Sequence, residues 1–486
     1  MNFRSGQTLP KNLHFGDYWF FMVEPGTTLS EKCSRQGNRL LCLWGAVFSV
    51  ATVSAVQAVE FGPARQIAND RIINREPVIS GSGLAAWMSY NSNDLATANT
   101  FISIYSPTDG MRGLTEELGG TMYAAAKPVA QSNQIVFIAN YRSRDHVNTS
   151  WTLREVPTRD ENFPELDARF IAKEDGGVQT LVPLVDREGL TNATESADTT
   201  EAPANNSEAE STSENRRVPS GESEIWSWVD GAPDVTRITT DYRNDYAPSV
   251  SGDILAWQKA KGFPFGWEIM ALVGDNRMQL TTNFYYDMAP QVQGRDIVWY
   301  GWDGYDYEIF LYNADKNETI QITDNRFDDV GPMVWNGAVV WESYPAVEAD
   351  ILLYRDGEIQ EISDNLEDDI SPRIWDRFVV WQGFDGDDFE LWLYDMSTGN
   401  EAIKLTSNDY DDVQPSIMDG LLVWMAYVDN WDAEIYYLDL TEIPYQPKAL
   451  TENEDDDLDP QTAGRRVIWR TERDGRNMIM LAEPKP

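Results

Sequence analysis

The sequence predicts an all-β fold, a propeller of four-stranded blades, and three observations carry that prediction. A unit of about forty residues recurs through the second half of the chain. Within each unit a continuous apolar run ends on an aromatic residue. Dipeptides suited to tight hairpins sit between the apolar runs.

The repeat is clearest when aligned on a proline and the aromatic nine residues after it. The pairs are Pro248/Trp257, Pro290/Trp299, Pro332/Trp341, Pro372/Trp381, Pro415/Trp424 and Pro460/Trp469, with prolines 42, 42, 40, 43 and 45 residues apart. Two looser copies lie upstream, Pro77/Trp87 and Pro128/Phe137, which gives eight blades, with seven as the alternative count.

Each unit reads as four strands. The first runs from the proline, which lacks an N–H and so suits a strand's first residue. A turn follows, plainest at Asn336-Gly337 and Asp419-Gly420, where positive φ is needed. The second strand is an unbroken apolar run such as Val339-Val340-Trp341, the pattern of a strand covered on both faces. The third is represented by Glu308 to Tyr312 and Glu390 to Tyr394, and the fourth is a short run into Leu-Thr or Ile-Thr. Units of this size are propeller blades; a parallel solenoid would use shorter repeats without hairpin dipeptides.

The two ends of the chain complement each other. After Trp469 only a third strand remains, Asn477 to Leu481. Near the start, Gln66-Ile67-Ala68 stands at the fourth-strand distance from Pro77. Residues 64–68 are therefore expected to pair with 477–481 and close the ring.

Residues 1–58 read as an export segment. Arg35 and Arg39 precede an apolar run from Leu40 to Val56, and Val56-Gln57-Ala58 fits cleavage after Ala58. The alternative is an uncut membrane segment, and the start is open between Met1 and Met22. Both place residues 59–486 in the periplasm or outside the cell, with the membrane touched only through an uncleaved N-terminal segment. Cys33 and Cys42 are the only cysteines and both fall in that segment.

The propeller is interrupted between Pro128 and Pro248. Residues 186–224 are rich in Ser, Thr, Glu, Ala and Asn, with only Leu190 and Val218 as large apolar residues, and read as a disordered acidic insertion. An extra hairpin is expected within 166–184, and Glu224 to Trp228 reads as the resumed third strand.

The unit resembles the TolB-type propeller repeat, in which Leu-Thr leads through a polar loop to Pro, a buried aromatic, Asp-Gly and a Glu-Ile-Tyr-like strand. Gln321-Ile322-Thr323, Pro332, Trp341 and Asp303-Gly304 with Glu308-Ile309-Phe310 carry the likeness, over roughly 64–140 and 224–482. Two departures limit it. The Ser-Pro-Asp-Gly turn of the family is replaced by forms such as Val250-Ser251-Gly252-Asp253, and no α/β domain is expected between the export segment and the first strand. The resemblance implies an exported propeller that binds other macromolecules.

The formal charge of −42 opposes nucleic acid and anionic membranes and favours cations or basic partners. Three sets of residues are candidates for a site. The first is an acid three residues before each proline, Asp245, Asp287, Asp329, Asp369, Asp412 and Asp457, with Asn74 and Ala125 in the early copies. Its functional reading is a carboxylate ring at the channel mouth. The favoured reading is that each Asp caps its own loop. Asn283, Asn325, Asn365, Asn408 and Asn453 read as turn-formers.

The second set is Asp303/Asp306/Glu308 with its echoes Asp385/Asp388/Glu390 and Asp429/Asp432/Glu434, oxygen donors of the kind that hold Ca²⁺. Turns with solvated acids are the favoured alternative, because Asp-Gly is also a hairpin signal. The third set is Trp267, Trp302 and Trp431, at the turn between second and third strands and expected on a rim.

Catalysis is the weaker reading. His146 is the only histidine after residue 58, and no nucleophile-elbow pattern is present. The chain thus reads as a monomeric, non-catalytic binder of a protein or glycan of the cell envelope. The alternative is a carbohydrate-active hydrolase or lyase using channel carboxylates.

Overall fold

The architecture was determined from a computed structural model. It describes residues 59–485, apart from 69–71, 91–99, 116–121, 142–169, 176–177, 184–222, 242, 262–265, 364 and 429–431. The segment 1–58 expected to direct export, most of the expected insertion, His146 and Trp431 therefore lie outside the described residues.

Eight four-stranded antiparallel sheets form the eight blades of a propeller. Blade 4 is typical, with strands Asp287–Gln293, Asp296–Trp302, Tyr307–Asn313 and Glu318–Gln321 in spatial order. The first strand of every blade contacts the first strand of the next, around a complete circuit from blade 1 to blade 8 and back. These strands consequently surround the axis. The fourth strands are on the outside, and Glu358–Glu361 is exposed along its whole length.

The circuit is closed as the chain ends suggest. Arg65–Gln66 pairs with Met480 and Leu481, so the beginning of the described chain supplies the outer strand of blade 8. The Ile67 amide extends the ladder to the Ile479 carbonyl at 2.8 Å. Phe61 bridges to Pro484 and sets its ring edge-on to Tyr437 at 5.0 Å.

Blade 2 is the interrupted one. Its first two strands, Met122–Gln131 and Gln134–Tyr141, are completed by Ser223–Val229 and Thr236–Arg237. The third strand begins at Ser223, inside the span assigned to the insertion. A separate hairpin joins Phe170–Asp175 to Val178–Pro183.

The core consists of layers between neighbouring blades. Val298, Ile309 and Leu311 of blade 4 meet Val334, Val339 and Trp341 of blade 5, and equivalent layers fill the other junctions. A second strand contributes to the layers on both its sides, which is why its sequence is continuously apolar. The second-strand tryptophans, Trp87, Trp257, Trp299, Trp341, Trp381, Trp424 and Trp469, are fully buried. Asn336 and Gly337 both take positive φ, as a two-residue hairpin of this hand requires.

Candidate functional site

The repeated polar residues are explained by hydrogen bonds within each blade. The Thr or Ser that ends the outer strand accepts a backbone N–H from the third strand: Ile269 to Thr281 Oγ1 at 2.9 Å, Ile309 to Thr323 at 2.8 Å, Ile351 to Ser363 at 2.8 Å. The hydroxyl so prolongs the ladder after the strand has ended. Two residues on, the Asn side chain caps the next turn, with Asn325 Oδ1 accepting the Phe327 amide at 2.6 Å.

That Asn also holds the aspartate. Asn283, Asn325, Asn365, Asn408 and Asn453 each donate through Nδ2 to Oδ2 of the Asp four residues later, over 2.5–2.7 Å. The other oxygen, Oδ1, accepts the indole N–H of the Trp twelve residues later in all six blades, from 2.6 Å at Asp412 to 3.2 Å at Asp287.

Asp245, Asp287, Asp329, Asp369, Asp412 and Asp457 are thus enclosed within their own blades and at most 1% exposed. They do not form an open ring at the channel mouth. Close packing has a geometric consequence at Gly301, opposite Asp287 in the ladder, where an added Cβ would approach Oδ1 to 2.4 Å. Desolvation raises these carboxyls, to about 7 at Asp245 and about 6 at Asp287 and Asp369.

Groups facing the axis come from other positions. Glu342, directly after Trp341, accepts the Ser371 amide of the next blade at 2.8 Å. Desolvation raises Glu342 and lowers Arg373, and both are half-buried. The bond to the next blade recurs where Gln258 accepts the Ala289 amide at 2.9 Å and Gln382 the Gln414 amide at 2.7 Å, but only blade 5 uses a charged acceptor there, so the repeat pattern does not single out Glu342 and Arg373.

Strand direction alternates within a blade, so the loops between second and third strands share one face with the loops that lead to the next blade. The second set of candidates stands on this face. Asp303, Asp306 and Glu308 bring carboxylate oxygens within 4.8 Å of one another, as do Asp385, Asp388 and Glu390.

Asp303, half-buried, and Asp385, exposed, are turn residues that accept the amides of their own turns through Oδ1, but the other four are buried. Asp306 is 6% exposed and Glu308 0%; Asp388 is 7% and Glu390 0%. Desolvation, reinforced by Asp303 and Asp328, raises Asp306 to about 6, and desolvation raises Glu308 to about 7. Asp385 moves the other way, to about 2, because Lys404 donates to it.

Trp267 begins the third strand of blade 3 and Trp302 ends the second strand of blade 4, both beside the loop between those strands. Trp267 is half-buried with its ring edge-on to Tyr246 at 5.2 Å, and Trp302 is half-buried against Tyr307 at 5.1 Å. On this face the exposed apolar side chains among the described residues are loop residues of blades 3 to 6, Phe284, Tyr285, Tyr305, Phe327, Val347 and Leu366, whereas Met111, Ile359 and Ile403 are exposed on outer strands and Val229 and Ile443 at turns between third and fourth strands. Phe284 is 76% exposed and Tyr305 88%. A legible signal was the aromatic or aliphatic residue one or two places after Asn283, Asn325 and Asn365.

No family model matches the chain. No curated protein matches it either. Solved structures do. Acylaminoacyl peptidase from Pyrococcus horikoshii is 12% identical with a TM-score of 0.45, covering 84% of this chain and 59% of that one. The β-propeller domain of the Trilobed protease from Pyrococcus furiosus is 11% identical, with a TM-score of 0.44 over 75% of this chain and 95% of that domain. TolB from Acinetobacter baumannii is 10% identical, with a TM-score of 0.33 over 54% of this chain and 76% of that one. The chain thus matches only about three fifths of the peptidase's length.

Proposed function

We propose that this chain is an exported, acidic, non-catalytic propeller that binds a protein or glycan of the cell envelope through one loop face. The observation that carries the reading is the group of exposed side chains Phe284, Tyr285, Tyr305 and Phe327 on consecutive loops of that face. Large apolar side chains presented together on loops are costly to hydrate and are the usual anchors of a partner or a sugar ring. Export rests on the apolar run that ends at Ala58. The acidic surface then favours a partner that is neutral or basic.

The face is tested by capture from an envelope fraction and by binding to an array of envelope glycans, with the wild type beside Phe284→Ser/Tyr305→Ser. Retention by the wild type and loss in the double variant, with both folded, supports the reading. Equal retention by the two proteins sinks it. Turnover of an oligosaccharide that disappears in Glu342→Gln would overturn the non-catalytic assignment in favour of a carbohydrate-active enzyme.

A further inference from the structure

Blades 2, 3 and 6 pair a buried third-strand Glu with a base, while in blade 7 Glu434 accepts from the Asn453 backbone and side-chain amides. Arg237 lies 2.7 Å from Glu224 in blade 2, and Lys261 lies 2.6 Å from Glu268 in blade 3. In blade 6, Lys404 Nζ lies 2.6 Å from Asp385 and 3.3 Å from Glu390. A buried carboxylate without such a counter-charge is costly, and a set of three more so.

Blade 4 repeats the blade 6 arrangement without its base. Lys404 pairs with Trp392 across the third and fourth strands; Gln321 occupies the equivalent place, opposite Phe310. Asp303, Asp306 and Glu308 therefore converge with no ammonium among them. Glu308 Oε1 accepts the Asn325 amide at 2.8 Å, but Asp306 Oδ1 and Glu308 Oε2 are buried and have no hydrogen-bond partner; the equivalent Asp388 Oδ1 and Glu390 Oε2 of blade 6 are likewise unpartnered, so the two blades differ in the charge that Lys404 supplies. The Thr323 hydroxyl lies near Glu308 and offsets part of its desolvation, but its geometry leaves Oε2 unbonded. Asp328 adds further negative potential, with Oδ1 accepting the Tyr307 amide at 3.2 Å.

We propose that Asp303, Asp306 and Glu308 bind a calcium ion, which takes in blade 4 the place held by the Lys404 ammonium in blade 6. Three carboxylates with no nitrogen or sulfur donor suit a hard divalent cation, and their spread over a turn and a strand suits the flexible coordination of calcium better than the tight octahedron of magnesium. Asp303 is half-buried and opens to the loop face, which supplies an entry path. The site stands independently of what that face binds.

The test is calorimetric titration of the chelator-treated full chain with calcium chloride in physiological salt, beside thermal melts with and without the ion. The wild type is expected to bind one ion with saturable heat and to melt higher in calcium. Asp306→Asn and Gln321→Lys should each weaken that binding at least tenfold. Gln321 is exposed, so its substitution by lysine leaves the core untouched and keeps the test valid if Asp306→Asn does not fold. Lys404→Gln should add a second ion at Asp385, Asp388 and Glu390. Absence of saturable heat and of any melting shift in the folded wild type overturns the proposal, as does binding unchanged by Gln321→Lys.

Discussion

Trp341 donates its indole N–H to Oδ1 of Asp329 over 2.9 Å, with both residues fully buried. The pair joins the second strand to the first strand of one blade, and six blades repeat it with Asp while blade 1 uses Asn74 to accept from Trp87 at 2.9 Å. Blade 2 shows why the two residues belong together. There the acid is replaced by Ala125 and the tryptophan by Phe137, both fully buried, so the acceptor and the donor are lost together. A donor left alone in this core would forfeit its hydration with nothing in return.

Asp329→Ala should therefore cost about 2–3 kcal/mol, since it orphans the Trp341 N–H and the Asn325 amide at once. Trp341→Phe should cost about 2–3 kcal/mol, mostly through the space it leaves. The double variant recreates the Ala/Phe pair of blade 2 and should cost at least about 1 kcal/mol less than the two singles together. Urea unfolding of the four proteins measures that coupling. Strict additivity would mean that the hydrogen bond contributes little.

Asp329→Asn alone should also destabilise, by about 1–2 kcal/mol, because its new amide would face the Asn325 amide that now donates to Oδ2 at 2.5 Å. The sequence suggests the remedy. In sequence, the order of the two residue types is reversed ahead of blade 1, where Asp70 stands four residues before Asn74. Asn325→Asp combined with Asp329→Asn should recover most of the loss, and the melting temperatures of the single and double variants decide it. A double variant no more stable than the single would refute the exchange.

Blade 3 carries acids at both positions, Asp241 and Asp245, and predicts a pH effect of definite sign. Asp245 is raised to about 7 by desolvation first, with Asp241 adding to the rise, and its Oδ2 has no partner. A carboxyl with a folded pKa above its unfolded one binds its proton more tightly in the native state. Stability from this group is therefore full below about pH 4 and is lost as the pH climbs through about 7. Asp245→Asn should raise the melting point at pH 8, by about 1–3 kcal/mol of stability, and should change it little at pH 5. A variant less stable than wild type at pH 8 would show that the charge is compensated.

Much of this fold was legible because the same interactions recur in the sequence. Pro, Trp, Asn, Asp and Thr each do one local job in a blade, so their spacing survives even where the surrounding residues vary. The role of the six aspartates was harder to read. Spacing located them on the bridge between blades, but whether their oxygens turn inward to Trp or outward to the channel depends on side-chain direction at the bulge beside the proline. Glu342 and Arg373 were invisible for the opposite reason, since each occurs in one blade only. The distinction between blades 4 and 6 needed the register, which sets Gln321 and Lys404 in equivalent places on strands of different length.

Ring closure yields the last prediction. The segment from Val59 to Ala68 is attached at several points: the Val59 amide donates to Asp439 Oδ2 at 2.9 Å, Arg65 and Gln66 pair with the last strand, and Ile67 and Ala68 are buried between blades 8 and 1. Removing residues 1–68 would strip the outer edge of Arg476–Ala482 and open the Val59 and Ile67 pockets to water. Burial of those side chains is worth about 4–6 kcal/mol together, so the truncated chain should melt well below a form beginning at 59. It should also self-associate, because an unpaired apolar strand edge recruits another. Adding a peptide of residues 59–68 in trans should restore part of the melting temperature. Equal melting points for the two forms would mean that the ring is held by its first strands alone.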